Sequence, residues 1–279
     1  MGQVTPQKSA YGRYTPPRNK LQLCPVCGER PADTKEDLVP NWARKRIRKL
    51  GTYSGNNVPS LLMPICSNCN RAFGRLYEND AARVLGPMVD GQARSLTLED
   101  QEVVGRWIVK SSLMFYLGRA PAGSPPDRLS LARALCRTMR KTRTVPHQSF
   151  VRIGWTDARH PDGPQVQPLL HEVGHLPETA FHGSSSLGYV AWEVAIGAPE
   201  LLGSFVMACR DNDALFRVWP PQTAAREWPP AIALTTRDRY RLRLAWQCGT
   251  WPPNEATPLE LGAWEYARTV DVPRDSAAQ

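Results

Sequence analysis

Four cysteines in two short pairs are the residues whose chemistry is easiest to assign. Cys24 and Cys27 bracket Pro-Val, and Cys66 and Cys69 bracket Ser-Asn about forty residues later. Each CxxC turn presents both of its sulfurs on one side, so two such turns supply four thiolates to a single tetrahedral zinc ion. The spacing therefore predicts a structural Zn²⁺ site.

An acidic pair lies between the two cysteine pairs. Glu36 and Asp37 precede Leu38-Val39-Pro40, and Asn70 directly follows the second cysteine pair. Polar side chains this close to a metal site are candidates for chemistry. The alternative is that the pair only marks the entry to a helix that begins at Asn41.

Positive charge is concentrated beside the cysteine pairs. The chain carries 35 Lys and Arg against 26 Asp and Glu, a formal net charge of +9. Ala43, Ile47 and Leu50 have the spacing of an apolar helix stripe, which Asn41 can cap and Gly51 can end. The opposite face of this helix carries five basic residues: Arg44, Lys45, Arg46, Arg48 and Lys49. We expect this face to bind the phosphates of a nucleic acid, with a solvated helix face as the alternative.

A second basic run lies on a later predicted helix. Its apolar positions repeat at helical spacing, and its basic residues are Arg133, Arg137, Arg140, Lys141 and Arg143. The same two interpretations apply, a phosphate-binding surface or a solvated face.

The elements that position these residues divide the chain into four segments. Residues 1–20 contain prolines and scattered basic residues without apolar periodicity, which predicts a mobile basic tail. We place a zinc module at 21–92, a helical segment at 93–145 and a β-rich α+β domain at 146–279. The predicted fold class is α+β: a treble-clef ββα zinc module, a helical middle segment and a small β-rich C-terminal domain.

Two helices and a linker are predicted in the first half. One helix begins at about Cys69 and stops at the pair Gly86-Pro87. The next begins after its N-cap Thr97 and ends at Gly118, and a proline-rich linker at 120–126 follows.

Strands are predicted beyond residue 146. Apolar and other residues alternate over Val190–Ile196, which indicates a half-buried strand in a small antiparallel sheet. The runs at 201–209 and 215–219 are its candidate partners, and a helix is predicted after Thr236. Three Trp-Pro-Pro triplets predict rigid segments pinned by buried indoles, at Trp219, Trp228 and Trp251.

Composition excludes some classes of protein. No apolar run is long enough to cross a membrane, and the polar start lacks a signal-peptide core, so we expect a cytoplasmic protein. Thiols stay reduced there, which favours metal over disulfide for the paired cysteines. Cys136, Cys209 and Cys248 lie among apolar neighbours and are expected to be buried core thiols.

Residues 21–117 resemble the HNH endonucleases, which are ββα-metal (treble-clef) nucleases, in their four-cysteine zinc form. The family has a CxxC pair, an acid-His dipeptide before an aliphatic residue and Pro, a strand, and a second CxxC followed by His or Asn. Here the corresponding residues are Cys24 to Cys27, Glu36 to Pro40, the strand region at 58–65, and Cys66 to Asn70.

The resemblance implies metal-dependent hydrolysis of phosphodiester bonds in DNA, in a bacterial or viral setting. Glu36 and Asn70 would hold a catalytic Mg²⁺ or Mn²⁺, separate from the structural zinc. Asp37 stands where the family has its catalytic histidine, and a carboxylate is a poorer base than an imidazole. The position of the family's orienting asparagine falls at Leu61.

Three other interpretations stay open. The zinc module and the basic helix fit a non-enzymatic nucleic-acid-binding protein. The C-terminal domain could instead recognise a protein partner. His171, Glu172 and His175 match the HExxH motif of zinc proteases, although Pro168 and Pro177 leave room for barely two helical turns.

Overall fold

Helices and strands both contribute to the core, in agreement with the predicted α+β class. The computed structural model describes residues 23–50, 62–119, 126–146, 149–155, 181–196, 215–221 and 224–230. Several sequence predictions lie outside these described residues: the tail at 1–20, the run at 201–209, the helix after Thr236 and the HExxH motif at 171–175.

The acidic pair lies on an antiparallel hairpin. Strand β1 (Thr34–Asp37) pairs with β2 (Leu62–Ile65), and helix α1 (Asn41–Leu50) lies between them in sequence. Helix α1 buries Ala43 and Ile47, which confirms its predicted apolar stripe.

A continuous helical stretch follows β2 directly. It consists of α2 (Ser67–Phe73), one π-helical turn (Gly74–Glu78) and α3 (Asn79–Val89). Helices α1 and α3 pack against each other, whereas the hairpin packs against α2 through β1 and against α4 through β2.

The predicted helix stop at Pro87 is two residues too early. Proline has no N–H to bond the carbonyl four residues before it, which here belongs to Arg83. The guanidinium of Arg94 instead donates to the carbonyls of Arg83 and Val84, over 3.4 and 3.0 Å. These bonds give the two carbonyl groups a donor near the end of the helix, and α3 continues to Val89.

Helix α4 (Leu98–Arg119) passes through the centre of the fold. The N–H of Asp100 donates to the Thr97 hydroxyl over 3.1 Å, which confirms the predicted N-cap. Most side chains between 103 and 117 are buried, because the helix packs against helices and strands together. None of the helices in the described ranges is long and apolar enough to cross a membrane.

Strands from the second half pack against α4. Helix α5 (Pro126–Thr142) precedes a four-stranded antiparallel sheet of order β5-β6-β4-β7. Its strands are β4 (Ser149–Trp155), β5 (Phe181–Leu187), β6 (Val190–Ile196) and β7 (Leu215–Trp219). A separate pair joins β3 (Arg94–Leu96) to β8 (Arg226–Trp228).

The strand predicted at 190–196 is confirmed, but its predicted half-exposure is wrong. All seven residues of β6 are buried. Glu193, expected to face outward, lies opposite Arg152 on β4 and accepts a hydrogen bond from its Nε over 3.0 Å. The ion pair is what allows a charged residue to be buried within this sheet.

Tryptophans connect the predicted segments into one core. The ring centroids of Trp42 and Trp107 are 5.7 Å apart, and those of Trp107 and Trp192 are 5.8 Å apart. This contact chain runs from α1 through α4 to β6, so the hairpin side and the sheet side are packed against the same central helix.

Candidate metal centre and adjacent charged groups

Two tight turns bring the four cysteines together. In the first, the Cys24 amide donates to the Arg30 carbonyl over 2.7 Å, and the Gly28 amide donates to the Cys24 carbonyl over 2.8 Å. Gly28 has a φ of +70°, which glycine adopts without strain. In the second turn, Cys66 follows β2 and Cys69 lies in the first turn of α2.

The sulfur positions fit one tetrahedral metal ion. The Sγ atoms of Cys24, Cys27, Cys66 and Cys69 all lie within 4.8 Å of one another, and those of Cys27 and Cys66 are 3.9 Å apart. Four Zn–S bonds of about 2.3 Å place the sulfurs about 3.8 Å apart. All four cysteines are buried. The predicted four-cysteine cluster is therefore formed, and its donors are compatible with a structural zinc.

The proximity of the thiols changes their acidity. A hydrogen bond with Cys69 lowers the pKa of Cys24 to about 4, and the same contact together with burial raises the pKa of Cys69. Burial also raises the pKa of Cys66. Burial and the charge of Cys24 thus oppose ionisation of Cys66 and Cys69, and a cation offsets that negative charge. A divalent metal supplies that charge and releases the protons.

Arginines of α5 contact the cysteine turns. The three contacts are Arg133 Nε to the Pro25 carbonyl (3.0 Å), Arg137 to the Cys27 carbonyl (3.5 Å) and Arg140 to Cys69 Sγ (3.3 Å). Because a divalent metal bound by four thiolates would carry net negative charge, these guanidinium groups would stabilise it. Three members of the second basic run are thus engaged at the metal site, whereas Lys141 and Arg143 are exposed.

Glu36 is buried and already paired with a cation. It is 8% exposed, and Lys110 of α4 donates from Nζ to its Oε1 over 2.9 Å. The same Nζ donates to Glu78 Oε1 over 2.6 Å. The indoles of Trp42 and Trp107 donate to Glu78 over 3.0 and 3.3 Å. Glu36 therefore belongs to a buried charge cluster that joins β1, the π-helical turn and α4.

Electrostatics keep this cluster ionised. Burial alone would lower the pKa of Lys110, but the carboxylates of Glu78 and Glu36 raise it above its ordinary value. Burial alone would raise the pKa of Glu78, but the charge of Lys110 and hydrogen bonds from Lys110, Trp42 and Trp107 lower it. The ammonium group and the Glu78 carboxylate are thus both charged at neutral pH.

Asp37 is held by helix α1. Its Oδ2 lies 2.5 Å from a guanidinium nitrogen of Arg44, and its Oδ1 accepts the Val39 N–H over 3.3 Å. These contacts stabilise the carboxylate as an acceptor for the backbone and for arginine, which makes it less available to a water molecule.

Asn70 attaches α2 to the hairpin. Its Nδ2 donates to Thr34 Oγ1 over 3.2 Å and to the Lys35 carbonyl over 3.1 Å. The structure therefore places Asn70 against the strand that carries Glu36 and Asp37. Each of the three side chains has a protein partner there.

The basic face of α1 is partly engaged within the protein. Arg44 pairs with Asp37, and Arg46 forms a salt bridge with Asp90. Three basic residues of α1 are exposed and form no ion pair with other described residues: Lys45, Arg48 and Lys49. Positions 45, 48 and 49 share one helix face, so these cations form a single patch.

Sequence reasoning missed Lys110 and Glu78, and it placed Arg140 in a basic run without its contact to Cys69. A lysine within the apolar stretch of α4 was the one available signal for Lys110, since an unpaired charge is rarely buried. Glu78 gave no such signal, and neither did the contact of Arg140 with Cys69, because the partners Lys110 and Cys69 are 32 and 71 residues away in sequence.

Comparison with models of protein families, with curated proteins and with solved structures gave no match for this chain. The assignment of function therefore depends on the residues and contacts described above.

Proposed function

We propose that this chain is a zinc-dependent nucleic-acid-binding protein, built on an HNH-like treble clef, that contacts the phosphate backbone of DNA through helix α1. The observation that carries the proposal is the exposed cationic patch of Lys45, Arg48 and Lys49 on a helix that follows strand β1, in a chain that also brings four cysteines together as a metal site. Clustered cations on one helix face bind phosphates regardless of base sequence.

The zinc ion has a structural part in this proposal. It joins the turn at Cys24 to the start of α2, and α2 in turn lies against β1 through Asn70. Helix α1 begins four residues after β1 and depends on that hairpin for its position. Because four thiolates bind metal only while reduced, we place the protein in the cytoplasm.

Binding without hydrolysis is the function that the contacts favour. A metal-dependent nuclease needs a metal ligand and a proton acceptor that can reach the scissile phosphate. Glu36 is instead paired with Lys110, and Asp37 with Arg44. Asp37 also stands where the HNH family has the histidine that accepts the proton.

The binding proposal is tested by anisotropy titrations of a labelled DNA duplex at several salt concentrations. The variant Lys45→Ala/Arg48→Ala/Lys49→Ala should bind more weakly and reduce the salt slope by about three, since each phosphate contact contributes roughly 0.9. A matched control, Lys141→Ala/Arg143→Ala/Arg226→Ala, removes three exposed cations from other elements.

The two variants separate local from general charge effects. Equal losses in both would show that net charge alone drives binding, and unchanged binding in the α1 variant would contradict the proposal. A duplex RNA of the same length, titrated in parallel, decides between DNA and RNA as the preferred partner.

Metal-dependent cleavage of DNA is the second candidate, and one observation favours it. The antiparallel pair β1–β2 runs directly into α2, with Asn70 bonded to β1, which is the order of elements in a ββα-metal site. Incubation of plasmid with zinc-loaded protein and Mg²⁺ or Mn²⁺ tests it, with Glu36→Gln and Asn70→Ala as inactive controls. If the plasmid stays intact with both metals, under conditions where the duplex is bound, cleavage is ruled out and nucleic-acid binding is the remaining function.

A further inference from the structure

Lys110 occupies a position between two carboxylates in the core. It is 3% exposed, and its Nζ lies 2.9 Å from Glu36 Oε1 and 2.6 Å from Glu78 Oε1. A buried ammonium that binds two carboxylates meets the same electrostatic requirement as a metal ion between them, because either cation offsets the repulsion of the two negative charges.

The surroundings of this cluster complete the charge balance. One ammonium group leaves a surplus of negative charge on two carboxylates. The indole N–H groups of Trp42 and Trp107 both point at Glu78, and hydrogen bonds from neutral donors spread that surplus. Glu36 receives no such donor among the described residues, so Lys110 is its main source of stabilisation.

We propose that the ammonium group of Lys110 is the resident cation of Glu36 and Glu78, and that it excludes a divalent ion from Glu36. A Mg²⁺ ion bound to Glu36 Oε1 at about 2.1 Å would lie within about 5 Å of the ammonium, which is 2.9 Å from that oxygen. Repulsion between two cations at that distance, in a buried site, opposes binding of the metal.

This inference is independent of nucleic-acid binding by α1. It assigns a role to two residues, Lys110 and Glu78, that lie on other elements, and it concerns a different ion from the one held by the cysteines. A failure of α1 to bind DNA would leave it untouched.

The test is a titration of the zinc-loaded protein with Mn²⁺, followed by electron paramagnetic resonance of the free ion. Mn²⁺ prefers oxygen ligands and does not compete well with zinc for thiolates, so it reports on the carboxylates. The wild-type chain should bind no stoichiometric Mn²⁺. Binding of one Mn²⁺ per chain that Glu36→Gln abolishes would overturn the proposal.

The variant Lys110→Ala should acquire the site that the wild type lacks. Removal of the ammonium leaves two buried carboxylates and the space of the lysine chain, so Mn²⁺ should bind and raise the thermal midpoint. The matched control Lys110→Ala/Glu36→Gln/Glu78→Gln should show neither effect. If Mn²⁺ does not raise the midpoint of a folded Lys110→Ala, or does not restore folding where that variant alone is unfolded, the proposal is wrong.

Discussion

The guanidinium group of Arg140 donates a hydrogen bond to the Sγ atom of Cys69 over 3.3 Å, across 71 residues of sequence. A hydrogen bond to a metal-bound thiolate withdraws negative charge from the sulfur and fixes its direction. Arg133 and Arg137, on the same helix, bond carbonyls of the first cysteine turn. Helix α5 therefore closes over the metal site and connects its stability to that of the helical core.

Loss of the Arg140 contact should accelerate release of zinc. We expect Arg140→Ala to release its metal to a chelator about 10-fold faster or more, the usual scale for the loss of a partner of a metal ligand. The neighbouring Lys141→Ala is the control, because Lys141 is exposed. Absorbance of a zinc-indicator dye measures both rates. Equal rates in the two variants would show that the contact does not stabilise the bound metal.

The four cysteines and Cys136 should differ sharply in their effect on metal content. Burial raises the pKa of Cys136 to about 12, so it stays a thiol at neutral pH, and it lies outside the sulfur cluster. Cys24→Ser should lose zinc and the cooperative unfolding transition, whereas Cys136→Ser should keep one zinc per chain. Elemental analysis of the purified variants measures the stoichiometry. A wild-type chain without zinc, purified under reducing conditions, would contradict the site.

The parts of the fold that sequence predicted are those set by local patterns. The CxxC spacing, the apolar stripe of α1 and the Thr97 cap each depend on residues within a few positions of one another. The end of α3 and the burial of Glu193 were predicted wrongly because arginines on other elements bond there: Arg94 of β3 donates to the Arg83 carbonyl, and Arg152 of β4 donates to Glu193. Local pattern cannot reveal such partners, since they are brought close only when the chain folds.

The candidate site divides in the same way. The spacing of the four cysteines alone predicts the sulfur cluster, and the structure confirms that the four Sγ atoms lie close together. The spacing does not predict the charges around Glu36. They depend on Lys110, which lies 74 residues later in the sequence, on helix α4. A motif therefore predicted which side chains lie near the metal site, but not which ions they bind.

Acid should remove the stabilising effect of Glu78. Its pKa is lowered below the ordinary 4.5, so its contribution to stability is present above pH 4.5 and is lost as the pH falls through the folded-state pKa. The pKa of Lys110 is raised above 10.5, so its contribution holds below pH 10.5 and is lost only at higher pH. The free energy of unfolding of Glu78→Gln should therefore be lower than that of the wild type, and the difference should be largest between pH 4.5 and 10.5.

Chemical unfolding at several pH values measures this difference. The gap between wild type and Glu78→Gln should narrow as the pH falls below 4.5, because the wild-type carboxylate then becomes neutral too. Asp80→Asn is the control, since Asp80 lies two residues away and is exposed. A gap that stays constant down to acid pH would show that Glu78 stabilises the fold by packing rather than by charge.

Glycine should be required more strictly at Gly188 than at Gly28. Both have positive φ, +57° and +70°, and an L side chain in that region costs roughly 1–2 kcal/mol. A Cβ at Gly28 meets no atom within 4 Å, whereas at Gly188 it would collide with the carbonyl oxygen of Val89 and approach Leu50 to 3.2 Å. Gly28→Ala should therefore lower the free energy of unfolding only by the cost of the strained backbone.

Thermal unfolding of the two variants tests the distinction. Gly188→Ala should lose about 2 kcal/mol or more, since the turn before β6 must move away from α3 to relieve the collision. Gly28→Ala should lose about half as much and keep its zinc. Similar midpoints for the two proteins would mean that the turn at Gly188 shifts freely, and that the sheet is not held against Val89.

The buried ion pair of Arg152 and Glu193 should be costly to break singly and cheap to replace as a unit. The two residues are each 2% exposed, and two nitrogens of the guanidinium bond Glu193 Oε2. Glu193→Ala leaves a buried positive charge without its counter-ion, which costs about 3–5 kcal/mol, whereas an apolar pair of similar volume is often neutral. We expect Arg152→Met/Glu193→Leu to be more stable than Glu193→Ala. Urea unfolding of Arg152→Met, of Glu193→Leu and of the double variant gives the coupling energy of the pair, and simple additivity of the two single losses would show that the side chains do not depend on each other.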